Sequence, residues 1–270
     1  MYLGIDVGGT KTLLAVFSQS GEIHEKAKFP TPPQYEQFLT ALDKILSPIK
    51  DKYQIKFCCC AAAGYIDRKR GIATRFGNLA WHNAPLKDDI GRILGGIPVV
   101  VENDAKLAGL SEALLVRNKY NKVLYITIGT GIGDGIIING MIDPNLADSE
   151  AGQMAIEHEG ELYRWEDLAS GRAIMNRYGK KAQDIEDPKI WAEYAAMLAK
   201  GVDILVAVLQ PEVVIIGGGV GTHFKKFGTL LGDELKKLEN HMVKMPPVIQ
   251  AKRPEEAVIY GCYDFIKQQS

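Results

Sequence analysis

Residues 125–140 read YITIGTGIGDGIIING: an apolar strand, glycines at 129, 131, 133 and 135, then a second apolar run closed by Asn139-Gly140. Glycines so spaced suit a phosphate, because a chain without Cβ atoms can bring its N–H groups close to an anion. The stretch is not a P-loop, since no Gly-Lys-Ser/Thr ends it. Nor is it a dinucleotide fingerprint, which requires a helix straight after the glycines. Ile136, Ile137 and Ile138 are instead β-branched and apolar, and Asn-Gly is a hairpin turn signal. The expectation is strand, glycine turn, strand, with strands over 122–129 and 135–139.

The same arrangement occurs earlier, in LGIDVGGTKTLLAVFSQSG (3–21), with strand signals at 2–7, 11–17 and 22–28. Two copies predict a duplicated α/β fold in which each lobe carries a mixed β-sheet and the glycine turns face each other across a cleft. Residues 1–115 form the N-terminal lobe, joined by a C-terminal helix at 255–270, and residues 116–254 form the C-terminal lobe. Helices are expected at 33–46, 85–94, 104–115, 166–178, 188–209 and 223–239, and buried strands at 55–64, 97–102 and 212–217.

The chain has 270 residues, 46% of them apolar and 24% charged, with a formal net charge of -1. No global basic field draws it to nucleic acid or to an anionic membrane, so neither is an expected partner. No run approaches the roughly 18 apolar residues of a membrane span, and MYLGIDVGG lacks the form of a signal peptide. Cys58, Cys59 and Cys60 alternate between the faces of a strand, poor geometry for one metal, and with Cys262 they read as buried small hydrophobes. With no disulfide framework, the expected location is the cytoplasm.

Asp6 lies beside Gly8, Gly9, Thr10 and Lys11, where a carboxylate can hold Mg²⁺ through water and Thr or Lys can reach phosphate oxygens. Thr130, Gly131 and Gly133 are the matching candidates in the second copy. Each turn alone is also explained as an ordinary tight hairpin. VVIIGGGVG (213–221) brings Gly217, Gly218 and Gly219 to the end of a buried strand, either as a third backbone approach, to a nucleoside, or as a plain strand–helix turn. In ENDAKLAG (102–109), Asn103 or Asp104 is an N-cap on one reading. On the other, Asp104 accepts a proton from a substrate hydroxyl, kept ionised by the helix N-terminus, while Asn103 orients the substrate. The loops GNLAWHN (77–83) and DSEAGQMAIE (148–157) offer the amides and carboxylates that a polyol needs, or are solvated turns.

Together these stretches resemble the ROK family of sugar kinases, on the two-lobed actin-like ATPase (ribonuclease H-like) fold. GIDVGGTKT looks like the family's first phosphate motif, ENDAKLAG its catalytic segment, TIGTGIGDGIIINGMI its second phosphate motif and VVIIGGGVG its nucleoside motif. The resemblance implies transfer of the γ-phosphoryl group of ATP, with Mg²⁺, to a hexose hydroxyl, most often the 6-hydroxyl of glucose, with Asp104 as general base. It also implies sugar contacts from Asn78, Asn103, Asp104, Glu150 and Glu166, with Gly64 lining the same pocket, and it is compatible with a homodimer.

The sequence departs from the family in several places. Gln153 stands where a histidine is usual, and IEHEGELYR (156–164) replaces the cysteine-rich stretch, so no zinc is expected. Ala63 replaces a proline, and GNLAW is one residue short. The short, zinc-free chain also resembles polyphosphate-dependent glucokinases, for which Arg68, Lys69, Arg70, Lys225 and Lys226 are the available cations. Kinases for fructose, N-acetylmannosamine or N-acetylglucosamine are alternatives, as is a sugar-binding protein without turnover. A repressor is disfavoured because the first phosphate strand begins at residue 2.

Overall fold

The computed structural model describes residues 1–77, 79–254 and 256–269. The chain folds as two compact units, Met1–Ser111 with Glu256–Ser270, and Glu112–Glu255.

The first unit opens with β1 (Tyr2–Val7), β2 (Lys11–Phe17) and β3 (Ile23–Pro30), then α1 (Tyr35–Lys52), β4 (Phe57–Ala62) and the small strands β5 (Gly64–Asp67), β6 (Ile72–Phe76) and β7 (His82–Ala84). It continues through α2 (Leu86–Ile93), β8 (Val99–Asn103) and α3 (Asp104–Leu114), within which the chain passes to the second unit. Its five-stranded sheet runs β3-β2-β1-β4-β8, with β1, β2 and β3 antiparallel and β1, β4 and β8 parallel. Helix α1 buries Phe38, Leu42, Leu46 and Ile49 on one face. It runs past the expected end at Leu46 and through Pro48, because Ile49 continues the apolar stripe and Tyr53 N–H donates to Ile49 O at 2.8 Å.

The second unit holds β9 (Lys122–Ile128), β10 (Ile132–Ile138), β11 (Met141–Ile142), β12 (Ala155–His158) and β13 (Glu161–Arg164). Then follow α4 (Trp165–Ala169), α5 (Gly171–Tyr178), α6 (Pro188–Leu209), β14 (Val213–Gly217), α7 (Gly218–Gly221), α8 (Phe224–Leu238) and β15 (Val248–Gln250). The last helix, α9 (Ala257–Gln269), belongs to the first unit. The sheet β11-β10-β9-β14-β15 repeats the first: an antiparallel meander, then two parallel strands. Its order corresponds strand for strand to β3-β2-β1-β4-β8, and this repetition defines the actin-like ATPase fold.

Two local expectations change. The second glycine turn is tighter than the sequence suggests: β10 begins at Ile132, pairing Ile132 with Ile128 and Gly133 with Thr127, so only residues 129–131 form the turn. The helix expected over 166–178 breaks at Ser170, whose Oγ accepts from Ala173 N–H at 3.1 Å as an N-cap. The break lets Gly171 N–H donate to Gly129 O at 2.7 Å, and a Cβ on Gly171 would meet that same oxygen at 2.7 Å.

Candidate functional site

In the first unit the turn after β1 is braced from the end of β3. Gly8 N–H donates to Lys11 O at 3.1 Å, Thr31 Oγ1 donates to Gly8 O at 2.7 Å, and Thr31 N–H donates to Thr10 O at 3.0 Å. Thr10 and Lys11 are exposed, and Gly8 and Gly9 are partly so, leaving the turn accessible. Asp6, near the end of β1, is pushed up to about 7, first by burial and then by the charge of Asp104, with Lys11 pulling the other way.

Asp104 is the first residue of α3 and its Oδ1 accepts from Ala105 N–H at 2.8 Å. Burial raises its carboxyl above the usual range, against the lowering pull of the Ala105 N–H and Lys106. The helix N-terminus therefore does not dominate as the sequence suggested; desolvation does, and it strengthens Asp104 as a proton acceptor. Asn103 fulfils the capping reading, its Oδ1 accepting from Ala105 N–H at 2.9 Å and Lys106 N–H at 3.2 Å. Its Nδ2 donates to Gly64 O at 3.0 Å, so Asn103 and Gly64 are brought together. Gly64 must be glycine, since a Cβ there would lie 1.9 Å from Arg75 O. Asn78 lies outside the described residues.

In the second unit, Gln153 and Glu166 meet: Gln153 Nε2 donates to Glu166 Oε1 at 2.9 Å. The other carboxylate oxygen, Oε2, accepts from Ile132 N–H at 3.4 Å, and a Cβ on Gly131 would stand 2.4 Å from it. The second glycine turn is thus packed directly on Glu166. Glu150 is exposed, and its carbonyl accepts from Gln153 N–H at 3.0 Å. The turn containing it is held by Asp134, which accepts from Ala151 N–H at 2.8 Å and from the Ser149 hydroxyl.

A groove of about 490 Å³ in this unit is lined by Gly129, Thr130, Gly171, Arg172, Met175, Lys181, Ala182, Gln183, Gly219, Val220 and His223. Of the residues named from sequence, Thr130 and Gly219 reach it. Gly217 and Gly218 are glycines for another reason: Cβ atoms there would stand 2.3 Å from Tyr125 Oη and 2.6 Å from Ile128 N. Gly133 pairs with Thr127 inside β10. Arg172, Lys181, Gln183 and His223 were not foreseen; only Arg172, directly after Gly171, left a local signal. Apolar Met175, Ala182 and Val220 beside the Gln183 amide and the cations Arg172 and Lys181 suit a nucleoside with charged phosphates.

Two similar sheets, each with a glycine turn after its first strand, and carboxylates at the strand ends define a phosphotransferase of the actin-like ATPase class. The ROK family model matches residues 2–269, and the chain belongs to the ROK family, as one of its sugar kinases. It is similar to a glucokinase of Halalkalibacterium halodurans, 36% identical over 89% of this chain and 84% of that one. It is also similar to an N-acetyl-D-glucosamine kinase of Haemophilus influenzae, 26% identical over 97% of each. Among solved structures, a ROK family glucokinase from Streptomyces griseus, crystallised with glucose and AMPPNP, is 25% identical, covers 99% of each chain and gives a TM-score of 0.83. Among the described residues, no helix is long and apolar enough to cross a membrane.

Proposed function

We propose that the protein transfers the γ-phosphoryl group of ATP to a hexose hydroxyl, the 6-hydroxyl of glucose first, with Asp104 as general base. The observation that carries this reading is the state of Asp104: a carboxyl at the first residue of a helix, partly buried, with its proton affinity raised by desolvation. A base so tuned takes the hydroxyl proton as the oxygen attacks in line, and the rest of the chemistry is positioning and charge neutralisation. Asn103, fixed by its cap bonds and by Gly64, presents its remaining amide N–H to a sugar hydroxyl. Glu150, Gln153 and Glu166 supply further acceptors and donors for the polyol.

Asp6 fits a divalent cation. It is desolvated and faces the charge of Asp104, a strain that a divalent cation held there would relieve. When bound, Mg²⁺ neutralises phosphate charge and orients the donor. In the first unit the accessible turn at Gly9–Thr10 offers backbone N–H groups to a phosphate, and in the second the turn at Thr130–Gly131 does the same. The two compact units serve as the two lobes, the first carrying the base and the second the nucleoside groove.

ATP is favoured over polyphosphate on two grounds. Met175, Ala182 and Val220 give the groove apolar lining that a base uses and a phosphate chain does not. The cations that polyphosphate would need are partly engaged: Arg68 pairs with Glu102, and Lys226 with Glu186 and Ile185 O. The sugar is open to a second reading because Gln153 occupies the face of Glu166, so N-acetylhexosamines belong in the same test.

The test is a coupled assay crossing hexoses and N-acetylhexosamines with ATP and polyphosphate. Glucose with ATP and Mg²⁺ is the expected best pair, and Asp104→Asn loses about 10²–10⁴-fold in kcat with the fold intact. Absence of turnover on the whole panel would sink the kinase reading.

A further inference from the structure

Glu102 is 2% exposed, at the end of β8, immediately before Asn103. A buried carboxylate is costly unless fully paired, and here it is paired from both sides. Arg68, in the tip of the β5–β6 hairpin, donates from Nε to Oε2 at 2.8 Å and from Nη2 to Oε1 at 2.8 Å, a two-pronged grip. Oε1 also accepts from the backbone N–H of Asn103 at 2.6 Å. The same hairpin begins at Gly64, whose carbonyl holds the Asn103 side chain at 3.0 Å. Asn103 is therefore fixed by its backbone through Arg68–Glu102, and by its amide through Gly64.

From this geometry, and resting on the proposed kinase reading, we infer that Arg68 is a positioning residue for the reaction. Through Glu102 it sets the peptide that carries Asn103 and the first residue of α3, Asp104, and so fixes where the base meets the substrate hydroxyl. The two-pronged guanidinium is what the role needs: a lysine ammonium supplies charge without the fixed fork. Arg68 touches no substrate in this role. It is equally not a free cation for phosphate, since its charge is matched by Glu102. The hydrogen bonds involved lie in one compact unit and tie three elements, β8, α3 and the β5–β6 hairpin.

The test compares Arg68→Met, Arg68→Lys and the double variant Arg68→Met/Glu102→Gln with the wild type. The double variant removes the unpaired buried charge that alone could unfold Arg68→Met. Folded Arg68→Met and the double variant should lose up to about a hundredfold in kcat with the KM for ATP unchanged, the scale expected of a misplaced reacting group. Arg68→Lys should recover part of that loss. A kcat within twofold of wild type in the folded double variant overturns the inference. Amide hydrogen exchange supplies an arm that does not depend on the kinase reading. The capped amides of Ala105 and Lys106 should lose protection in the double variant while amides of β1 do not, and unchanged protection at 105 and 106 overturns the inference even if no sugar is turned over. Wild-type turnover, measured in the same series, tests the kinase reading separately.

Discussion

Gln153 holds one oxygen of Glu166 through its side-chain amide at 2.9 Å, although they are thirteen positions apart with the β12–β13 hairpin between them. Arg164 Nη1 donates to the Gln153 carbonyl at 2.8 Å, so the loop presenting the amide is itself fixed. A cation near that carboxylate oxygen, Arg172, stands at 3.5 Å. Gln153→Ala therefore frees Glu166 to rotate, leaving it the Ile132 N–H at 3.4 Å and Arg172 at 3.5 Å. A hydrogen bond to a charged group contributes about 1.5–3 kcal/mol at most, and Gln153 is exposed, so the KM for hexose should rise several-fold to tenfold. Steady-state kinetics should show kcat little changed. Gln153→His restores a donor and should shift the preference between glucose and N-acetylglucosamine; identical sugar ratios in both variants and wild type would reject a role in recognition.

Two glycines on either side of Glu166 in the sequence should fail in different ways. A Cβ on Gly201 would lie 2.1 Å from the Trp165 ring, which is fully buried and has nowhere to move. Gly201→Ala should lower Tm sharply, overpacking of this kind costing about 1–3 kcal/mol or more. A Cβ on Gly131 would meet Glu166 Oε2 at 2.4 Å, but that is the end of a flexible side chain. Gly131→Ala should keep its Tm to within a few degrees and lose hexose turnover, because Glu166 must leave Gln153 to make room. Thermal melts and initial rates on the same preparations separate the two outcomes.

How much of this was legible in the sequence depended on how local the cause was. The two meanders were, because apolar runs meeting glycine turns need no distant partner to be recognised. The break at Ser170 was not: its partner, Gly129 O, lies in another turn, and the local pattern of 166–178 reads as one helix. The hairpin Ala155–Arg164 escaped notice because Glu161–Arg164 is exposed throughout and has no alternation to read. Gly217 and Gly218 look like ligand glycines in sequence, yet it is the side of β9, at Tyr125 and Ile128, that requires them. The Arg68–Glu102 pair spans 34 residues, and nothing in either stretch alone points to the other.

Stability should be indifferent to zinc. His158 Nδ1 lies 3.4 Å from Lys200 Nζ, a neighbour that repels a cation. Among the described residues no group of three or more His, Cys, Asp or Glu side chains could hold a metal. Prolonged treatment with a zinc-selective chelator should leave Tm unchanged, whereas stoichiometric zinc in metal analysis, lost together with folding, would overturn the expectation.

Asp6 should make the metal-free protein less stable as pH rises. Its folded value of about 7 lies above the ordinary 3.8, so between these the folded state holds a proton that the unfolded state has released. Stability from this group is fully present below about pH 4 and is lost as pH rises through 7. His223, whose imidazole is pushed down by burial and by Lys226, acts in the opposite sense below its ordinary 6.5, while Asp104, raised by burial, acts in the same sense as Asp6, so the bare curve mixes several groups. The difference between wild type and Asp6→Asn isolates the carboxylate: the variant should gain Tm relative to wild type from pH 5 to pH 8. Asp104→Asn removes the slope of its own raised carboxyl, yet the part that Asp6→Asn abolishes should largely remain in it, because burial, not Asp104, is the larger cause of the Asp6 shift. Mg²⁺ should flatten the wild-type curve and leave that of Asp6→Asn alone. A difference curve that is flat, or that falls from pH 5 to pH 8, would show that Asp6 carries no desolvated charge for a cation to relieve.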